Sequence, residues 1–342
     1  MEGSNSHKEG HDSFDLLFVG NFVQDIIHTI DPEDHSIREA HKLGGSVTYG
    51  PLAVATLGRG CRVRVVCRVG QAAAADPFLT SLRTAGTVDL SGVEWMEGAD
   101  TSYLLKYDKS GHRTLSLREK GYPVPQDLVL KHVGRPDAIL FVPVAGEFDE
   151  TLVVAVAKDL RHKGCRPIIA IDIQGYLRAF EGDRVCTREA EEMVGKLDRV
   201  GRYLTFLKAE YGEAQAILGL DLSPAECANG SFLATKALGV TFVPTYKPER
   251  VRDETGCGDT YLACTISELL HLRRSQHHQQ QHRKTPLHSS EGALHTVDDE
   301  WGLEEIGRRI ERGEVQGKES SRKSVTAYTP PPSVRRRQSL DG

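Results

Sequence analysis

Hydrophobic and polar positions along this chain follow two rhythms that trade places repeatedly. FDLLFVGNF (14–22) is a short apolar run closed off near a glycine, the pattern of a buried strand feeding a loop. LGGSVTYGPLAVATLG (43–58) opens on a glycine pair and continues in small and apolar residues suited to a close-packed helix. CRVRVVCRVG (61–70) alternates as a strand does and also stops at glycine. TSYLLKYD (101–108) and HRTLSLRE (112–119) alternate polar with apolar on either side of the turn KSG, which predicts an antiparallel hairpin set apart as a small sheet. DAILFVPVAGEF (137–148), PIIAIDIQGYL (167–177) and GRYLTFLKAEYGEAQAILG (201–219) restore the alternation, with the helical DETLVVAVAKDLRHKG between the first two. This order predicts an α/β protein on a parallel sheet covered by helices on both faces, with ligands at the C-terminal ends of the strands.

At 342 residues the chain can bury a sizeable core, as one large or two ordinary domains. A net charge of −5 gives no general attraction to nucleic acid or to an anionic membrane. No apolar run approaches the roughly 20 residues that span a bilayer, and the polar start MEGSNSHKEGHD lacks the apolar core of a signal peptide. The expectation is a cytoplasmic protein that binds neither nucleic acid nor membrane. Seven cysteines without a CxxC pair point to reduced thiols rather than a zinc site. After about Leu272 the globular pattern stops, and the low mean hydropathy of −0.37 has its source there. The expected organisation is a disordered N-terminus (1–13), an α/β domain (14–272) and a polar low-complexity insertion (273–297). An amphipathic helix through Trp301, Leu303, Ile306 and Ile310 (298–313) and a disordered tail (314–342) follow. His277, His278 and His282 read as solvated rather than as metal ligands.

The stretch DETGCGDTY (253–261) carries the chemistry. Apolar or small residues recur at Leu262, Ala263, Ile266, Leu269 and Leu270, so a helix begins near Gly258 with glycines at its N-terminus. That end offers unpaired N–H groups and the positive end of the macrodipole, a site for an anion such as phosphate. The same residues also suit a plain helix start, with Asp253 or Thr255 as cap and Asp259 as a first-turn acid.

Together these segments resemble the ribokinase family of carbohydrate kinases, also called PfkB, in its branch containing myo-inositol 3-kinase. DETGCGDTY is similar to that family's signature D-T-x-G-A-G-D, with Glu254 inserted and Cys257 where alanine is common. The resemblance implies a three-layer ribokinase-like sandwich with a mostly parallel central sheet, plus a small β lid formed by the hairpin at 101–119. It implies that Asp259 is the catalytic base and that Gly256, Cys257 and Gly258 form the anion hole. VGNFVQDI (19–26) resembles the family's first strand, so Asn21 and Asp25 would contact sugar hydroxyls. Gly44 and Gly45 of LGGSVTYG would let backbone approach the ligand. LKAEYGEA (207–214) falls where the family carries N-x-x-E: Glu213 would hold Mg²⁺ through water, and Glu210 replaces the asparagine and reads as solvent-facing.

The cofactors so implied are ATP and Mg²⁺, and the acceptor is a hydroxyl of a small sugar or polyol, myo-inositol first. IAIDIQGYLR (169–178) and TFLKAE (205–210) carry the inositol-branch resemblance. No P-loop pattern is present. Two departures concern the nucleotide side: the region 220–245 is too short for the family's helix, strand and glycine turn, and HHQQQH replaces an alanine-rich segment. The alternatives are therefore a degenerate member impaired in ATP binding, acting as a binding or regulatory protein, or a nucleoside kinase. Oligomeric state stays open.

Overall fold

The computed structural model describes residues 13–30, 35–58, 60–84, 86, 88–108, 113–218, 230–235, 239–244 and 256–282. In chain order its elements begin with β1 (Phe14–Val19), β2 (Val23–Ile30), β3 (Ile37–Gly44), α1 (Ser46–Leu57), β4 (Cys61–Val69), α2 (Gln71–Ala74), α3 (Pro77–Thr84) and β5 (Val88–Trp95). There follow β6 (Thr101–Tyr107), β7 (Arg113–Glu119), α4 (Gln126–His132), β8 (Ala138–Phe141), α5 (Glu150–His162), β9 (Ile168–Asp172) and α6 (Gln174–Leu177). Then come β10 (Arg178–Glu181), β11 (Arg184–Thr187), α7 (Ala190–Gly201), β12 (Phe206–Lys208), α8 (Tyr211–Leu218), β13 (Gly230–Thr235), β14 (Gly239–Pro244) and a long helix, here α9 (Cys257–His282).

Six strands form an entirely parallel sheet in the order β12-β9-β8-β1-β4-β5. Successive side chains of β1 point to opposite faces, so Leu16 and Phe18 enter one core while Leu17 and Val19 enter the other. The first core takes Val47 and Val54 of α1, Leu79 and Leu82 of α3, and Leu262, Ile266 and Leu270 of α9. The second takes Val129 of α4, Val153, Val156 and Leu160 of α5, Met193 and Leu197 of α7, and Ile217 of α8. Each fully buried Leu, Val or Ile contributes about 1.5–3 kcal/mol, which is why the sheet needs cover on both sides. Asp149 starts α5 by accepting the Thr151 N–H at 2.9 Å. The result is the three-layer sandwich expected from the pattern. Among the described residues no helix is long and apolar enough to cross a membrane.

The hairpin β6–β7 forms where expected, but it belongs to something larger than a small lid. It sits inside a second six-stranded sheet, β10-β11-β7-β6-β2-β3, in which only β2 and β6 run parallel. Asp25 lies in this sheet, on β2, and not on the first strand. The chain leaves the parallel sheet at Gly20, which passes so close to Val142 that a Cβ there would lie 3.1 Å from its carbonyl carbon. Helix α9 also runs past Leu272, through His282. Its Arg, Gln and Ser residues contain no glycine or proline to stop it. The segments 1–12 and 283–342, including the helix expected at 298–313, lie outside the described residues.

Candidate active site

The strand order reverses around β1: the chain moves outward through β4 and β5, then returns to the other side at β8. Loops leaving the carboxyl ends of β1 and β8 therefore diverge and open a crevice, the usual ligand position in such sheets. Glu147 ties the two loops together. Its buried carboxylate accepts N–H groups from Asn21 at 3.0 Å, from Val144 at 2.9 Å and from Ala145 at 2.8 Å. Burial pushes its carboxyl up, and these N–H groups pull it back.

Asp25 stands over the crevice from β2. Gly44, on the paired strand β3, lies against it so closely that a Cβ there would collide with Asp25 Oδ2. Burial raises the Asp25 carboxyl to about 6, against the pull of Arg178, Arg113 and Lys42, and Asp259 raises it further. The two acids thus feel each other across 234 positions of sequence, while Tyr103 and Arg178 meet nearby on the carbonyl of Val144, at 2.8 and 2.9 Å.

Gly45 has φ 88° and turns the chain into α1. The hydroxyl of Ser46, the first residue of that helix, donates to Asp259 Oδ1. Tyr49, one turn on, lays its ring over Gly256, which has φ 76°. Thr260 N–H donates to Gly256 O at 2.9 Å, so the helical ladder of α9 starts there. The N–H groups of Gly256, Cys257, Gly258 and Asp259 precede it and form the open end of the helix. Burial raises the Asp259 carboxyl, the Ser46 bond lowers it, and Asp172 raises it again.

The third wall comes from β9 and β12. Lys208 pairs with Asp172 in register across these strands, and its ammonium lies 2.9 Å from Asp172 Oδ2, although outside hydrogen-bond angles. Both side chains are nearly buried, at 8% and 2% exposure. A Cβ on Gly258 would sit 3.2 Å from this ammonium, so Lys208 stands beside the open end of α9. Glu210 is exposed and 3.7 Å from it. Glu213 accepts the Glu210 N–H at 2.7 Å, and burial, aided by Asp172, lifts its carboxyl to about 7.

Of the residues singled out from the sequence, Asp259, Gly256, Cys257, Gly258, Asp25, Gly44 and Gly45 gather around this crevice, with Glu213 on the Lys208 side. Asn21 is at its base, 2% exposed, with its amide donating to Tyr122 O at 2.6 Å and accepting from Arg68 N–H at 3.1 Å. That amide joins the loop after β1 to β4 and to the segment at Tyr122. Sequence reasoning missed Ser46, Asp172 and Lys208. The last two stand at the C-terminal ends of adjacent strands, a signal present in IAIDIQ and TFLKAE but readable only with the register.

No protein-family model and no curated protein sequence matches the chain. Solved structures do. A pyrophosphate-dependent kinase in the ribokinase family, complexed with a pyrophosphate analog and myo-inositol, matches 76% of this chain and 88% of its own at 20% identity, with a TM-score of 0.56. Ribokinase from Giardia lamblia matches 77% of this chain and 85% of its own at 14% identity, TM-score 0.59. Ribokinase from Cryptococcus neoformans var. grubii in complex with ADP matches 75% and 87% at 14% identity, TM-score 0.56. A pyrophosphate-dependent myo-inositol-1 kinase converted by mutation into a myo-inositol-3 kinase is matched over only 62% of its length, at a TM-score of 0.46. The fold of this chain is the ribokinase-like α/β sandwich.

Proposed function

We propose that this chain is a ribokinase-family kinase that transfers the terminal phosphoryl group of ATP to a hydroxyl of a sugar or polyol, with myo-inositol the first acceptor to test. The observation that carries this reading is the meeting of Asp25 and Asp259 in one crevice, with the glycine-flanked start of α9 between them and the Lys208 wall. Asp25 accepts hydrogen bonds from acceptor hydroxyls. Asp259 takes the proton of the attacking hydroxyl. The N–H groups of Gly256, Cys257 and Gly258 face the charge that grows on the phosphoryl oxygens, and Lys208 adds a positive charge beside them. Among the described residues no three His, Cys, Asp or Glu side chains converge to hold a metal by themselves. Mg²⁺ commonly keeps its waters and uses one or two carboxylates plus substrate phosphates, so Glu213 suits it through water. When bound, Mg²⁺ neutralises phosphate charge.

The donor side favours a second reading, in which ATP binding is impaired. Within the region 220–245 the described residues form only the hairpin β13–β14, a separate sheet that adds no strand to the parallel one. The decisive assay offers Mg·ATP and pyrophosphate as donors to a panel of polyols, sugars and nucleosides and follows phosphorylated product by ³¹P NMR. Transfer from ATP to a polyol supports the kinase reading; no transfer from either donor to any acceptor overturns it.

Two results are expected alongside. Because Asp25 acts ionised and its carboxyl titrates at about 6, acceptor KM should fall as pH rises through that value and then level off. In Asp25→Ala acceptor KM should rise ~10-fold and lose this dependence. A pH-dependent KM that survives the substitution would remove Asp25 from the acceptor site. Among the described cysteines only Cys257 is exposed. Iodoacetamide should inactivate the enzyme by ~10-fold or more, phosphoryl donor should protect it, and Cys257→Ala should resist. Full activity after complete labelling of Cys257 would move the anion hole elsewhere.

A further inference from the structure

We propose that Ser46 is the positioning residue of the base, holding one oxygen of Asp259 so that the other faces the acceptor hydroxyl; this rests on the phosphotransfer reading above. Ser46 opens α1 and is 3% exposed. A serine at a helix start commonly caps the helix, but here the capping position belongs to Gly45, which has no side chain, and the Ser46 hydroxyl donates to Asp259 Oδ1 instead. The bond crosses between two helices, 213 positions apart in sequence.

The surroundings make this bond part of a clamp. Tyr49, on the same face of α1 as Ser46, packs over Gly256 on the segment that leads to Asp259. Thr48 donates to Gly44 O at 2.6 Å, and Gly44 lies against Asp25. The first turn of α1 therefore sets both acids at once: Asp25 through the glycine pair and Asp259 through Ser46. Oδ2 of Asp259 is then the oxygen that receives the proton. As the acceptor oxygen bonds to phosphorus, its proton passes to Oδ2. The bridging P–O bond of the donor breaks, and its electron pair leaves with the departing fragment.

The charges facing Asp259 are Asp172 from β9, Lys208 from β12, Glu210 after it, and Asp25 from β2. None of them is changed by removing the Ser46 hydroxyl. Its donation favours the ionised carboxylate, so its loss raises the pH at which the base becomes competent.

The test compares Ser46→Ala and Ser46→Thr with the wild-type chain. In Ser46→Ala, kcat at neutral pH should drop ~10-fold, the acid limb of the kcat profile should move up by about one pH unit, and acceptor KM should stay unchanged. Ser46→Thr, which keeps the hydroxyl, should restore the wild-type limb. An unmoved limb in the alanine variant, or an equally displaced limb in the threonine variant, would overturn the proposal. A second readout needs no turnover: the ¹³Cγ shift of Asp259, assigned by its disappearance in Asp259→Asn, should titrate at higher pH in Ser46→Ala. If the wild-type chain phosphorylates nothing, the kinase reading fails on its own while this titration still decides whether Ser46 holds Asp259. If the alanine variant does not fold, Ser46→Cys, close to serine in shape but a much weaker donor, serves for both measurements.

Discussion

Asp259→Asn should lower turnover by ~10²-fold or more while leaving the fold at least as stable as the wild type. General-base catalysis commonly contributes that much, and an amide of nearly the same shape cannot take the proton. The stability half of the expectation comes from the electrostatics. Burial and Asp172 both raise the Asp259 carboxyl, so its ionised form costs folding free energy. The sign follows from the direction of the shift: a raised carboxylate favours the fold at low pH and loses that contribution as pH rises through its folded value. Asparagine removes the charge and the penalty. Unfolding temperature should therefore be unchanged or higher while activity collapses, the opposing pattern of a residue retained for chemistry. Steady-state kinetics and thermal unfolding on the same preparation check it. Turnover within a few-fold of wild type, with an intact fold, removes Asp259 from its role.

Much of the fold was legible because its signals are local. CRVRVVCRVG alternates over the whole of β4, and DETLVVAVAKDLRHKG contains α5 with its cap at Asp149. The second sheet was legible only in part. Its β10–β11 hairpin turns at Gly182, in AFEGDRVC, but these strands are four residues each and half-polar, too short for periodicity to mark. Asp25 was legible as an acid and not as a member of this sheet, because the turn at Gly20 depends on Val142, far away in sequence. The site divides in the same way. Gly256, Gly258 and Asp259 announce themselves by spacing, whereas Lys208 and Asp172 become partners only through strand register. Ser46 is similar: nothing in LGGSVTYG marks its hydroxyl, and only the packing of α1 on α9 brings it to Asp259.

Gly256→Ala should cost ~2–5 kcal/mol of stability and at least ~10-fold in turnover. Two terms add. At φ 76° an alanine is strained by roughly 1–2 kcal/mol. Its Cβ would also stand 2.6 and 2.8 Å from the Cδ2 and Cδ1 atoms of Tyr49, so the ring has to move. The ring is fixed to α1, and displacing that turn shifts Ser46 away from Asp259, while the N–H groups at the start of α9 move as well. Gly164 separates the two terms. It has a similar φ of 72° but nothing within 4 Å of an added Cβ. Gly164→Ala should therefore cost only the backbone strain, ~1–2 kcal/mol, and leave turnover at the wild-type level. Chemical denaturation measures the stabilities and steady-state assays the turnover. If both alanines lower stability alike and neither touches turnover, then the Tyr49 contact does not govern the site, and the start of α9 tolerates a shape that a phosphoryl-binding turn should not.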